Sequence, residues 1–419
     1  MKDEPRLSPD VRLVGEQLDT GFRERQWLVE RDGRFLQVSE LLYRILERAD
    51  GRHGIEEIAR GATESTPWTV TPAHVREIVE SKLAPAGLVT ADENVRRVRR
   101  QPRSPLSVSA RKVLIGPRVL EPVTGALRLL YAPAVVVAVL GLVVAAHLWL
   151  YLGNGIGGPI TDVLVHPALV LAATLIYIVT TVVHELGHAS ALRYGGGITR
   201  GIGVGVYLVY PVFFTDTTDA YRLGRWARVR VDLGGFYFQL IAAAGLVGLA
   251  TISGQEWLLF PVLVINFEAL RQLLFPFVRL DGYWLFADLA GIPDFFSHVA
   301  PFVRSLLPGS LRRGSALPAL RRATKGILLG YVVAVVPILG LLVHQLVTSA
   351  PRFFATAWSS FEAQRIGVAH ALGTGDIAGA AGSLGQLLIL ATPALTTTLL
   401  TLVTVTWLAN RLLGPRRER

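Results

Sequence analysis

The segment VVHELGHASALRY, residues 182–194, places two histidines and a glutamate at the end of an apolar run that begins near residue 165. An ionisable side chain near the centre of a bilayer costs about 2.5–3.5 kcal/mol on insertion scales, so such residues usually serve a function. His184 and His188 are four residues apart and therefore project from the same face of a helix, one turn apart. Two imidazoles in that arrangement can share one zinc ion, and Glu185 beside them can polarise water. The alternative is a buried polar cluster that joins helices, and the spacing favours zinc over it.

The composition predicts that this run is one of several membrane spans. Hydrophobic residues make up 51% of the 419 residues, charged residues only 18%, and the mean hydropathy is +0.43. Several apolar runs reach the roughly 20 residues that a helix needs to cross a bilayer. We therefore expect a polytopic α-helical membrane protein with about six transmembrane helices, at residues 130–152, 165–189, 233–252, 257–278, 326–348 and 384–409. The sequence has no cysteine, which excludes a thiolate metal site and a cysteine nucleophile.

The distribution of charge predicts the topology. Residues 1–95 contain 13 basic and 18 acidic residues, a net charge of −5, whereas the rest of the chain has a net charge of +15. A head with net negative charge disfavours nucleic acid as a partner, because phosphate contacts need clustered Lys and Arg. The predicted external loops, 153–164, 253–256 and 349–383, contain only Arg352 and Arg365 as basic residues. The positive-inside rule then places both termini in the cytoplasm. Only four of the 42 basic residues are lysine, which indicates GC-rich bacterial codon usage and therefore a bacterial cytoplasmic membrane.

Four regions follow from these patterns. Residues 1–92 are predicted to form a small α+β domain with strands in VRLVGEQL and QWLVERDGRFLQVS, a turn at Asp32-Gly33, and three helices, the first capped by Ser39. Residues 93–129 are a basic cytoplasmic linker, residues 130–409 the transmembrane domain with its core at 165–290, and residues 410–419 a basic tail. The apolar segment 201–214 is too short for a span and rich in Gly, Val and aromatic residues, so we expect a re-entrant or interfacial, β-like segment packed against protein.

A catalytic zinc ion usually takes three protein ligands, and the topology indicates the third. The second predicted span runs inward and reaches His184 and His188 near its cytoplasmic end. The fourth span also runs inward and reaches Asp281, in FPFVRLDGYW, near its own cytoplasmic end. Pro276 is expected to interrupt the helix before Asp281, and Gly282 to let the backbone turn. The sequence thus brings Asp281 to the depth of the two histidines.

HELGH on one span and LDG after a later one resemble the site-2 protease (M50-type) family of intramembrane zinc metalloproteases, over about residues 165–290. The resemblance implies that zinc is bound by His184, His188 and Asp281, and that Glu185 is the general base and acid of peptide hydrolysis. Where the family often has asparagine before its LDG motif this chain has Leu273, with Asn266 nearby but out of register. Where many members have Gly-Pro-x-x-Asn it has GGFYFQ. Its last residue, Gln239, could donate to the scissile carbonyl or the oxyanion, or could instead bond a neighbouring helix.

The VRLDGYW form and a small N-terminal domain resemble a bacterial branch described as peptide zinc metalloproteases. The N-terminal part, RFLQVSELLYRILERADGRHGIEEIA, resembles PqqD-like recognition domains, which are winged-helix-like and similar to the pyrroloquinoline quinone synthesis chaperone. Such domains bind leader peptides by adding a strand to a sheet edge. The resemblance implies a protease that cleaves a membrane-associated or ribosomally made precursor peptide, with a peptide exporter as a further partner. Two alternatives stay open: an ion-coupled transporter with a His/Glu/Asp relay, and a catalytically silent zinc-binding peptide receptor or export component.

Overall fold

The computed structural model describes residues 4–31, 34–90, 109–207, 210–274, 279–292, 295–306, 318–377, 379–385 and 387. The described chain is mostly helical, with eight short strands. The elements of the N-terminal part are β1 (Arg6–Leu7), β2 (Val11–Gln17), β3 (Gln26–Arg31), β4 (Arg34–Ser39), α1 (Glu40–Arg48), α2 (Ile55–Ser65), α3 (Pro72–Ile78) and β5 (Val89–Thr90). The elements that follow are β6 (Ser109–Ile115), α4 (Pro117–Leu127), α5 (Pro133–Leu148), α6 (Gly157–Val165), α7 (Pro167–Tyr194), β7 (Ile202–Tyr207), β8 (Tyr210–Thr215), α8 (Arg225–Ser253), α9 (Leu259–Leu274), α10 (Asp281–Ala290), α11 (Phe295–Leu306) and α12 (Arg322–Thr374).

These elements form two compact units. The first comprises Met1–Val136, Val183–Phe238 and Gln272–Val333, and the second comprises Val137–Val182, Gln239–Arg271 and Ala334–Arg419. Helices α7 and α8 contribute to both. All the residues of the metal site described below belong to the first unit.

The N-terminal strands and helices in the first unit have the order expected from the sequence. Strands β2, β3 and β4 form an antiparallel sheet in that order, and Arg31 pairs with Arg34 where β3 passes into β4. The expected Asp32-Gly33 turn lies outside the described residues. Side chains from the sheet and from α1, α2 and α3 share one hydrophobic core, in which Val29, Ile45 and Leu83 are fully buried. Helix α1 begins after Ser39 as expected, but the Ser39 side chain makes no capping hydrogen bond.

A second antiparallel sheet in the first unit contains the segment 201–214. Strands β7 and β8 form a hairpin, and β6 pairs with the other edge of β7, so that the order is β6-β7-β8. The expected β-like conformation is thus confirmed. Glycine at position 203 permits this pairing, because a Cβ there would lie 2.3 Å from the Lys112 carbonyl oxygen on β6.

Among the described residues, three helices are long and apolar enough to cross a membrane: Pro133–Asn154, Ala168–Tyr194 and Arg225–Ser253. They overlap the first three of the six expected spans. Helix α8 starts at Arg225, eight residues before the expected start at 233. The helix can include these residues because charged side chains in its first turns interact with residues of other helices. Arg228 bonds Asp288, and the Arg230 guanidinium lies 4.7 Å from the centre of the Tyr194 ring.

Two of the three remaining expected spans can be compared with described helices. Helix α9 covers part of 257–278 but has only 16 residues. The span expected at 326–348 lies within α12, a continuous helix of 53 residues. Residues 349–374, part of the expected external loop at 349–383, continue this helix, which passes Pro351 and ends before Gly375, whose φ is +72°. Nearly all of the segment 384–409 and the whole tail 410–419 lie outside the described residues.

Candidate metal centre

Three side chains that the sequence predicts as metal ligands converge. His184 Nε2 lies 2.8 Å from Asp281 Oδ2 and 3.0 Å from His188 Nε2, and His188 Nε2 lies 3.5 Å from Asp281 Oδ1. Tetrahedral zinc, with ligand bonds of about 2.0–2.1 Å, holds its ligand atoms roughly 3.3 Å apart. The spacing of the three groups fits such an ion, so His184, His188 and Asp281 can hold a metal.

The orientation of His188 is set from outside the motif. Its Nδ1 lies 2.7 Å from the carbonyl oxygen of Val231 on α8. A carbonyl oxygen only accepts hydrogen bonds, so Nδ1 carries the proton and, in the neutral ring, Nε2 presents its lone pair to the other two ligands. His184 Nδ1 is buried and has no hydrogen-bond partner among the described residues. That nitrogen can carry the proton that leaves His184 Nε2 free to bind a metal.

Glycines bring α7 and α8 into close contact at the motif. A Cβ on Gly187 would lie 2.2 Å from the Gly234 carbonyl oxygen, and one on Gly235 would lie 2.3 Å from His184 Nε2. The structure thus places helix α8 directly against Gly187. The Tyr131 hydroxyl donates to the Gly187 carbonyl oxygen at 2.8 Å and lies 3.4 Å from that of Gly234.

Glu185 is positioned by the hairpin. The Thr215 hydroxyl, at the end of β8, lies 2.6 Å from Glu185 Oε2 and 2.9 Å from the Glu185 carbonyl oxygen. Glu185 is buried, with 7% of its surface exposed, and its remaining surface faces the same cavity as His188. Because the hydroxyl donates to one carboxylate oxygen, the other is left to meet a water molecule or a substrate atom.

Asp281 is the first residue of α10 and faces the histidines as a carboxylate. Loss of solvent raises the pKa of Asp281, but the charge of a protonated His188 and hydrogen bonds with His184 and His188 outweigh this effect, so the pKa lies below its usual value. The sequence predicted that Gly282 would let the backbone turn. This prediction is wrong, because Gly282 lies inside α10. It is required for packing, since a Cβ there would lie 2.0 Å from the Gln272 carbonyl oxygen. Pro276 lies outside the described residues.

A cavity of about 270 Å³ opens beside these groups. Its walls include Glu185, His188 and Asp281 on one side and residues 212–215 of β8 on another. Beyond Asp281 it is lined by Arg228 and Asp288, whose side chains form a 2.6 Å hydrogen bond, Arg228 Nε to Asp288 Oδ1. Burial raises the pKa of Asp288, and the Arg228 guanidinium opposes that shift. The cavity thus joins the metal-ligand set to a strand edge and a buried ion pair.

The other expected site residues, Gln239 and Asn266, belong to the second unit. Gln239 is buried, with 4% of its surface exposed. The Asn266 side chain lies 3.1 Å from His147 Nε2 and donates to the Tyr151 hydroxyl at 2.9 Å. Their roles as substrate or oxyanion ligands stay predictions.

Two further polar pairs near the expected spans behave as structural groups. Arg271 Nε donates to Glu268 Oε2 at 2.8 Å, so the two charges neutralise each other on one face of α9. Asp216 accepts hydrogen bonds from the backbone N–H and the hydroxyl of Thr218.

The residues that support the ligands were not predicted from the sequence: Thr215, Val231, Gly235, Tyr131 and the Arg228–Asp288 pair. Only the Gly234-Gly235 pair has a local signal, because two adjacent glycines inside a long apolar helix indicate close contact with a neighbouring backbone. A backbone carbonyl such as that of Val231 leaves no trace in the residue types.

Comparison with known proteins supports a relationship to zinc metalloproteases. The chain is 25% identical over 122 residues to a protein of Bacillus subtilis (strain 168) named "Putative peptide zinc metalloprotease protein YydH". The match covers 28% of this chain, and the chain spans about half, 48%, of that curated relative. No family model matches the chain, and no solved structure matches it.

Proposed function

We propose that the protein is a membrane-embedded zinc metalloprotease of the site-2 protease (M50) type, which hydrolyses a peptide bond near the cytoplasmic face of a bacterial cytoplasmic membrane. The observation that carries the proposal is the convergence of His184, His188 and Asp281 beside a buried Glu185. The similarity to a protein named as a peptide zinc metalloprotease supports it independently. In this proposal the chain crosses the membrane about six times, with both termini in the cytoplasm.

The residues present fit a three-ligand zinc site, in which zinc supplies Lewis acidity to a water molecule and to the peptide carbonyl. Thr215 holds Glu185 Oε2, so Oε1 is the atom that we assign to proton transfer. Glu185 takes the proton from the water as the water attacks the carbonyl carbon, and then delivers it to the leaving amine. Val231 keeps His188 in one tautomer throughout.

The substrate is proposed to bind as an extended strand along β8. This strand lies at the edge of the β6-β7-β8 sheet, and its residues 212–215 line the cavity next to Glu185. An edge strand offers free backbone N–H and C=O groups for pairing with a peptide. A scissile bond in such a strand would pass beside Thr215 and Glu185.

Residues 1–92 are proposed to be a PqqD-like domain that recognises the leader of a precursor peptide. Strand β4 lies at an edge of its sheet, and a groove beside α3 is lined by Leu41, His74 and Lys82 and by Trp68, which is 44% exposed. A peptide strand added to β4 could place apolar side chains in that groove. A peptide exporter that accepts the cleaved product is a further proposed partner, and the lipid bilayer surrounds the helices.

The experiment that tests the proposal compares wild type, Glu185→Gln and His188→Ala, each purified in detergent, for zinc content and for cleavage of a precursor peptide. The expected result is about one zinc per chain in wild type and in Glu185→Gln, loss of zinc in His188→Ala, and cleavage by wild type alone. General acid–base catalysis contributes typically 10²–10⁴-fold, so Glu185→Gln should lose about that factor.

Three outcomes would contradict the proposal. A fully active Glu185→Gln would refute the assigned base. Zinc bound by wild type without cleavage of any precursor peptide would favour a catalytically silent zinc-binding receptor. Proton-coupled transport without bound metal would favour an ion-coupled transporter with a His/Glu/Asp relay.

A further inference from the structure

The loop between β2 and β3, residues 18–25, leaves the N-terminal sheet and binds to helices of the metal site. Gly21 N–H donates to the Gly291 carbonyl oxygen at 2.8 Å, and Arg321 N–H donates to the Gly21 carbonyl oxygen at 2.9 Å. Phe22 forms an isolated antiparallel bridge with Leu320. All of these groups lie within the first unit. The loop is thus joined by backbone hydrogen bonds to a segment nearly 300 residues away.

The fit around this loop is tight. A Cβ on Gly21 would lie 2.2 Å from the Ala290 carbonyl oxygen and 2.9 Å from Thr324 Oγ1. Gly291, in the left-handed region at φ +69°, ends α10 beneath it, and a Cβ there would lie 2.5 Å from the Gly21 nitrogen. Phe22 is 8% exposed, with its ring centre 5.7 Å from that of His298. Such contact admits no added methyl group without movement of a backbone.

The loop touches the two helices that fix the metal ligands. Helix α10 begins at Asp281 and ends at Ala290, where the loop packs. Helix α8 begins at Arg225, whose Nε donates to the Asp19 carbonyl oxygen at 3.0 Å. Two turns further along α8 is Val231, which accepts the hydrogen bond from His188. The loop therefore contacts the end of α10, the helix that carries the ligand Asp281. It also contacts the start of α8, the helix whose Val231 orients the ligand His188.

The two helices are also tied to each other next to the loop. Arg228, one turn after Arg225, bonds Asp288, which lies two residues before the end of α10. Arg228 is 3% exposed and the Asp288 side chain 22%, so the pair is shielded from water mainly on the Arg228 side. A displacement of either helix at the loop therefore moves the other, and with it the distance between Asp281 and the histidines.

We propose that residues 18–25 are a positioning latch: their contacts with α8 and α10 couple the position of the N-terminal domain to the metal affinity of the site. The inference rests on the proposed metal site, and it makes the N-terminal domain part of that site's support rather than a separately tethered module. The latch residues touch no substrate or reacting atom. They act on Asp281 and His188 through α10 and α8.

The test measures the zinc affinity of the full chain in detergent, by equilibrium dialysis against Zn²⁺ in a buffered chelator. Gly21→Ala is compared with Gly125→Ala, because Gly125 on α4 has no atom within 4 Å of its added Cβ among the described residues. The contact of 2.2 Å must widen by roughly 1 Å to become an ordinary contact. Loss of the outer partners of metal ligands costs about 10–100-fold in affinity. We expect that loss in Gly21→Ala and wild-type affinity in Gly125→Ala.

Arg225→Ala is the second variant, which removes the bond to Asp19 without adding volume and serves if Gly21→Ala does not fold. Weaker zinc binding by folded Arg225→Ala supports the latch. Wild-type zinc affinity in every latch variant that folds, even with a lower melting temperature, overturns it, because a merely anchoring loop would change stability alone. His184→Ala in the same dialysis reports separately on the metal site: equal binding by that variant and wild type would refute the site rather than the latch.

Discussion

Gly235→Ala is the substitution that tests the described position of His184 most directly. The added methyl carbon would lie 2.3 Å from His184 Nε2, 2.4 Å from Cε1 and 2.6 Å from Cδ2, so it would occupy the space of the imidazole ring. The ring cannot retreat easily, because His184 is 5% exposed and packs edge-on against Phe236 at 5.7 Å. The variant should therefore displace one of three metal ligands.

The expected magnitudes separate metal binding from folding. In a helix interior, alanine is favoured over glycine by about 1 kcal/mol, whereas overpacking costs typically 1–3 kcal/mol, so the free energy of unfolding of the metal-free protein should fall by at most about 2 kcal/mol. Zinc affinity should fall by more than the roughly 10–100-fold that loss of an outer partner causes, since a ligand itself moves.

The assay is zinc affinity by competition with a chelator, together with thermal unfolding of the metal-free protein in detergent. Gly245→Ala on the same helix is the matched control, because its added Cβ would have no neighbour within 4 Å among the described residues. The control should bind zinc as wild type does. Wild-type zinc affinity in a folded Gly235→Ala, alongside loss of zinc in His184→Ala, would show that His184 does not approach α8 as described.

Three further substitutions test the groups around the site and the N-terminal fold. Thr215→Val removes the 2.6 Å hydrogen bond to Glu185 and should lower the rate of peptide cleavage about 10-fold while zinc content stays unchanged; an unchanged rate would remove Thr215 from the mechanism. Tyr131→Phe removes the hydroxyl that bonds Gly187 and should lower the free energy of unfolding by about 1–3 kcal/mol, measured by denaturant titration, whereas Tyr151→Phe, at a partly exposed residue, should change it less. Hydrogen bonds from the Arg52 backbone and the His53 side chain lower the pKa of Asp50 to about 2. This stabilisation is present above the unfolded pKa of about 3.9 and is lost as the pH falls towards 2, so the melting temperature of wild type should approach that of Asp50→Asn in this interval and exceed it at pH 6.

The N-terminal strands and helices could be predicted from the sequence because their signals are local. The β-prone residues of VRLVGEQL, the helical spacing of Leu42, Ile45 and Leu46, and the position of Ser39 are signals that each act within one turn or one strand. The HELGH spacing is also local, since one helix turn brings His184 and His188 together. Asp281 was predicted from the expected direction of two spans, and its carboxylate lies 2.8 Å from His184 Nε2.

The helix boundaries were harder to predict because charges and prolines have different effects inside and outside a packed protein. Helix α8 continues through Arg228 and Arg230, which find partners in α10 and α7. Helix α12 continues past Pro351. The partners of the metal ligands, a threonine on β8 and a carbonyl on α8, depend on tertiary packing and leave no sequence pattern.

Distant elements supply partners for most of the polar groups of the motif in this apolar segment, although His184 Nδ1 has none among the described residues. An unpaired buried polar group costs about 1–3 kcal/mol and a charged one more, so the motif alone would destabilise α7. Strand β8 supplies a donor for Glu185, α8 supplies an acceptor for His188, and α10 supplies a carboxylate for His184. Each of these bonds requires its own element to be packed against α7. The positions of β8, α8 and α10 are therefore constrained as tightly as the motif, and a change that moves one of them should act on metal binding without touching a ligand.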